Sequence, residues 1–262
     1  MNSYLCLFIK SFKSQMVYRL STIFKLISSS LILLVQISLW SSLIKSGVKN
    51  DITMEDMNVF IVINLFVSSL TNINIAVEIE SGVREGSVAL YLIKPLSFHL
   101  YWLYTSFGET AYRTLVGVFP VIIFSFFFSG ISLPNQKIYL LFFFISLVLG
   151  MLIMFELTYV VGLLAFWVQR TWYLSWYLTA GTVFFGGTVV PIWFYPQFMK
   201  NISYVLPFRY ISFESTNFYL EKTSIQNGPL ILAISLIWFI ILYFSGKSLW
   251  KIVRKKLMIN GG

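Results

Sequence analysis

The sequence predicts an all-α integral membrane protein. An in-plane amphipathic helix opens the chain, six transmembrane helices follow, and re-entrant outer helices fall between spans five and six. Three observations predict this. Hydrophobic residues make up 58% of the chain and charged residues 11%, whereas a soluble domain carries about a quarter charged residues. The apolar residues lie in blocks long enough to cross a hydrocarbon core of roughly 30 Å. Basic residues gather at both ends of the chain, around the first block and after the last. The 262 residues are read as one transmembrane domain, with an interfacial helix over 1–21, a six-span bundle over 22–250 and a basic cytoplasmic tail over 251–262.

The interfacial helix rests on spacing. Leu5, Phe8, Ile9, Phe12, Met16 and Leu20 recur at helical intervals, and Lys10, Lys13 and Ser14 fall on another face, the pattern of a helix lying in the headgroup plane. The first span covers 22 to 44, with Lys25 placed to snorkel at its start. It begins too late and runs too long for a cleavable signal core. The second span, 57 to 77, carries Asn64, Ser68, Thr71 and Asn72 near one stripe. Polar groups are costly in lipid, so that stripe should face protein or water. A mixed-charge loop occupies 78 to 99. The third span lies within 100–128, the fourth within 138–168 and the fifth over 173–190. Gly186, Gly187, Pro191 and Pro196 break the chain there. The aromatic and proline-rich segment 191–228 forms the outer re-entrant cap, and the last span covers 229 to 246.

Lys10, Lys13, Arg19 and Lys25 at one end, and Lys247, Lys251, Arg254, Lys255 and Lys256 at the other, put both termini in the cytoplasm by the positive-inside rule. An even number of spans follows, and loops 45–56, 129–137 and 191–228 face outward. The net charge of +9 is then a membrane-orientation signal, and no nucleic acid is expected as a partner.

Signals for chemistry within the chain are few. Cys6 is the single cysteine and His99 the single histidine, which argues against a disulfide framework or a Cys/His metal centre. Gly246-Lys247-Ser248 resembles the end of a phosphate-binding loop, but Ile241 stands where that motif needs its first glycine. No catalytic, cofactor-binding or metal-binding residue is expected. Intramembrane charges are the functional candidates. Glu109 and Arg113, four apart, can pair on one helix face, either functionally or to hold that helix at headgroup level. Glu156 lies deeper in the fourth span and either contacts a cationic substrate or joins an interhelical hydrogen bond. Asn64, Ser68, Asn72 and Glu156 are the candidates for a transport path.

The loop 78–99 is the most informative segment. Gly82 and Gly86 punctuate it, and Pro95 ends any helix starting near Ser87. A short helix there carries Val88, Leu90 and Tyr91 between Arg84, Glu85 and Lys94. Apolar residues kept among charges suggest a docking surface for another protein; the alternative is a helix resting on lipid headgroups.

With these features the chain resembles the permease subunits of type-two ABC exporters. The in-plane N-terminal helix before six spans matches. So does the first cytoplasmic loop, with Glu78, Gly82, Gly86 and Lys94-Pro95. So does the stretch from Gly186-Gly187 through Pro191 and Pro196 to Leu206-Pro207-Phe208. The resemblance implies a multi-pass protein of the bacterial cytoplasmic membrane. It implies pairing with a second permease chain, identical or homologous, and docking of two copies of an ATP-binding subunit that holds ATP and Mg. It also implies a coupling helix within 78–99, so that Arg84, Glu85, Val88, Leu90, Tyr91 and Lys94 are expected to contact that subunit. The expected substrate is an amphiphilic drug, peptide or lipid. The competing reading is a secondary transporter driven by an ion gradient.

Overall fold

A chain crossing hydrocarbon must satisfy its backbone polar groups internally, which favours helices. The computed structural model describes residues 3–17, 19–47, 52–92, 96–129, 133–168 and 170–260, and every regular element among them is helical. Four segments are long and apolar enough to cross a bilayer: Leu20–Lys45, Met54–Arg84, Lys137–Phe166 and Gly228–Lys255.

Helix α1 (Ser3–Gln15) forms where the amphipathic spacing predicts it, but it has a protein partner. It packs along α6 (Phe98–Gly117). Ser11 is buried there and donates to the Thr105 carbonyl at 2.9 Å and to Glu109 at 3.2 Å. Gly108 permits the approach, because a Cβ there would overlap the Phe8 carbonyl oxygen. Helix α2 (Arg19–Lys45) turns Leu31, Ile32, Leu34 and Val35 outward, an apolar surface suited to lipid.

The second span is not one helix. Helix α3 (Met54–Thr71) starts with a capping box between Thr53 and Asp56 and stops after Thr71; α4 (Ala76–Arg84) resumes the path. The expected loop 78–99 is therefore helical in its first part. Gly86 turns the chain with φ +73°, a conformation that costs glycine little, and α5 (Ala89–Leu92) follows. The third span is divided too, into α6 and α7 (Phe119–Ser129), with the break at Val118 beside Pro120. Proline offers no N–H to the preceding turn and clashes with it.

Helix α8 (Lys137–Leu163) is the central element, packed by α4, α11 (Arg209–Tyr219) and α12 (Gly228–Asn260). All eleven residues of α11 are buried. At Gly150 of α8 a Cβ would overlap the Ile211 carbonyl, so glycine sets how closely α11 can lie. Helices α9 (Trp172–Phe185) and α10 (Gln197–Val205) are short. Helix α12 continues past the expected end of the last span, through the basic tail to Asn260.

The loops sort to two ends. Lys222 pairs with Asp56 at 2.7 Å, and Glu221 accepts from the Asn135 side chain and the Gln136 N–H at 3.2 and 3.1 Å. Asp56, Asn135, Gln136, Glu221 and Lys222 thus meet at one end. At the other, buried Glu80 accepts from the N–H and hydroxyl of Thr171 at 2.8 and 2.9 Å. Phe98 stacks on Trp250 there, with ring centroids 4.2 Å apart.

Candidate functional site

A cavity of about 180 Å³ lies at the break after α3, lined by Ser68 and Asn72 and by Thr179, Thr182, Thr188 and Ser212. A helix end leaves carbonyls without partners, and Arg113 answers one of them: its Nη2 donates to the Asn72 carbonyl at 2.9 Å and to the Thr110 hydroxyl at 3.0 Å. Asn64 does the same for the irregular stretch after α9, donating to the Thr188 carbonyl at 2.6 Å. Ser68 in turn donates to Asn64 Oδ1 at 3.4 Å. Of that stripe Asn64 and Thr71 are buried and Ser68 is half-buried, while Asn72 is exposed. Ser68 and Asn72 line the cavity, while Asn64 works as a backbone bonding partner. A volume of this size holds about six waters at ~30 Å³ each, below the roughly 300 Å³ at which small-molecule sites begin.

Glu156 is not in that lining. It is 1% exposed and meets His99 Nε2 at 2.7 Å, joining α8 to the start of α6. Phe155, Tyr159 and Tyr243 set their ring edges around the imidazole. Of the two readings of Glu156, the interhelical hydrogen bond is formed here. His99 was not foreseen as its partner because the two lie 57 positions apart in sequence.

Glu109 and Arg113 make no direct ion pair: among the described residues the ion pairs are Arg209–Glu214 and Lys222–Asp56, beside the His99–Glu156 hydrogen bond. Glu109 accepts from Ser11 and Arg113 serves the α3 break. Helical spacing made the pair possible, but each group met a better-placed partner on a neighbouring helix.

The α4–α5 turn divides its residues between two faces. Arg84, Glu85 and Leu90 are exposed, with Glu85 accepting from Ser81 at 2.7 Å. Val88 is 3% exposed and belongs to the core, so it cannot present itself to a partner. Tyr91 is half-buried against Tyr101, Phe98 and Trp102, at centroid distances of 4.7, 5.5 and 6.2 Å. Lys94 lies outside the described residues.

Sequence reasoning passed over Arg209 and Glu214. They form a buried ion pair at the start of α11, with Glu214 fully buried and Arg209 5% exposed. The signal was available, as two opposite charges inside an otherwise aromatic segment between Pro207 and the last span. Glu80 was likewise quoted only as part of a mixed-charge loop. Gly246-Lys247-Ser248 falls inside α12, with Gly246 against the Tyr159 ring, and no glycine-rich turn is formed there. Among the described residues, no group of three His, Cys, Asp or Glu side chains is gathered as a metal site.

The sequence profile of a family described as ABC-2 family transporter protein matches residues 31–261. No curated protein matches the chain.

Proposed function

The chain belongs to the ABC-2 transporter family, and we propose that as its permease subunit it pairs with a second permease chain, identical or homologous, around an export path. The substrate is an amphiphile, whether drug, peptide or lipid. Two copies of a separate ATP-binding subunit drive its movement. The observation that carries this reading is the family match over residues 31–261, which extends through the α4–α5 turn to the end of α12.

In this proposal six spans cross the bacterial cell membrane. The interrupted α6–α7 pair and α9 supply the crossings beyond the four long apolar segments. Helix α9 is 14 residues long, about 21 Å at 1.5 Å per residue. It relies on the chain beyond Phe185 to complete the distance. Helices α10 and α11 form the outer re-entrant cap, with α11 covered by protein along its whole length. The basic ends put both termini in the cytoplasm, so the end carrying Arg84, Glu85 and Leu90 faces the ATP-binding subunits. ATP and Mg sit on those subunits, and this chain itself is not an enzyme. A secondary transporter would need a free acidic relay, and buried Glu156 is already engaged by His99.

The test is reconstitution. The purified chain should hydrolyse no ATP, and hydrolysis should appear when it is purified together with its ATP-binding subunit. Robust hydrolysis by the clean chain alone overturns the division of labour.

A further inference from the structure

We infer that the chain holds a binding seat for a net-anionic amphiphile beside the first turns of α12, with Arg209 as its anchor. The seat is a cavity of about 650 Å³ lined in part by Lys200, Tyr204, Arg209, Lys222, Leu230 and Ile234. That volume falls within the roughly 300–1,000 Å³ of small-molecule sites.

Arg209 explains what the cavity selects. Its guanidinium lies over the Tyr204 ring at 3.6 Å from the centroid and bonds Glu214 through Nε. The side chain is 5% exposed, yet among the described residues its two Nη groups donate to no protein acceptor. Those Nη groups stay open to the cavity, and open guanidinium donors on its lining suit an oxyanion, which accepts two parallel N–H bonds. Lys200 and Lys222 add positive charge on the same wall, against the single carboxylate of Glu214. Lys222 is shared with Asp56, while Lys200 makes no ion pair among the described residues. A zwitterionic headgroup would bring its ammonium against these lysines.

The α12 part of the lining explains the apolar part. Leu230 is 61% exposed and Ile234 stands one turn further along α12. An acyl chain laid along that helix would cover both while the headgroup rests on Arg209. Charge at one end and aliphatic surface at the other fit an anionic lipid better than a free anion. The site rests on the proposed export role only for its biological meaning, because binding can be read on the permease without its ATP-binding subunit.

The experiment uses the full chain in detergent micelles with phosphatidylglycerol and phosphatidylcholine carrying the same acyl-chain fluorophore. Wild type should prefer phosphatidylglycerol by about tenfold or more, the scale of one charge-assisted hydrogen-bonded contact. The double variant Arg209→Gln/Glu214→Gln removes the pair without leaving a lone buried charge, and it should bind both lipids alike. Lys200→Gln, in the cavity lining, should reduce the preference about threefold and carries the test if the double variant is not monodisperse. Equal binding of the two lipids by wild type overturns the seat. So does an unchanged preference in the folded double variant, or in Lys200→Gln where that variant stands in for it. Displacement by millimolar inorganic phosphate assigns the cavity to a free oxyanion and overturns the amphiphile, while lipid retained against phosphate supports it. ATPase stimulation in the co-purified complex is read separately, so loss of the lipid preference and failure of the exporter reading remain distinct results.

Discussion

Glu156 and His99 show how an intramembrane charge can be a structural group. The carboxylate is almost fully buried, and its bond to the imidazole at 2.7 Å offsets part of the cost of leaving water. Removing the carboxylate loses that buried hydrogen bond, so Glu156→Ala should destabilise the chain by about 1–3 kcal/mol. Glu156→Gln keeps an oxygen to accept from Nε2 and should lose less. Thermal unfolding of the detergent-solubilised variants measures both, and a Glu156→Ala chain as stable as wild type would show that the pair contributes nothing. Asn64 and Arg113 belong to the same class. Their polarity was legible in sequence, but their job of satisfying the carbonyls of Thr188 and Asn72 was not, because it depends on helix breaks elsewhere.

At the scale of elements, the α4–α5 turn divides its side chains between surface and core. Leu90 is exposed and Tyr91 is held by three aromatic rings of α6. Leu90→Ala should therefore leave stability within about 0.5 kcal/mol while weakening attachment of the ATP-binding subunit. A docking anchor is worth about 2 kcal/mol, roughly thirtyfold in affinity. Tyr91→Ala should instead lower thermal stability through lost packing. Pull-down of the ATP-binding subunit and unfolding of the two variants separate the effects. Full retention and full ATPase stimulation by Leu90→Ala, and likewise by Arg84→Ala, would remove this turn as the coupling element. The short helix near Ser87 was readable from Gly86 and Pro95, but which of its side chains point outward was not. Val88 and Leu90 are both aliphatic and two positions apart, yet one is core and the other surface.

For the whole molecule the decisive question is sidedness. The pairs joining Asp56 to Lys222 and Glu221 to Asn135 bring residues of the three loops expected outside to one end, consistent with the alternation of spans inferred from the basic termini. In a Cys6→Ser background, cysteines at Ser46 and Asn227 should react with an impermeant thiol reagent on intact cells, and one at Lys255 only after permeabilisation. The reverse pattern inverts the orientation. Protection of Asn227 with labelling of Ser46 removes the shared outer end.

By itself the sequence determined the class of this protein and the placement of most of its helices. Long apolar blocks between basic ends leave little choice in a bilayer, where unpaired backbone groups are too costly for anything but helices. It also marked the segment that carries the α4–α5 turn. The tertiary structure decided which polar groups meet. His99 with Glu156, Thr171 with Glu80, and Arg113 with the carbonyl of Asn72 are separated by 57, 91 and 41 positions. It also decided that the second and third spans break and that α11 lies wholly inside the bundle. Hydropathy reports how a residue prefers lipid to water. Once a polar group is inside, its energy depends on the distance and direction of a partner, and only the packed helices supply those.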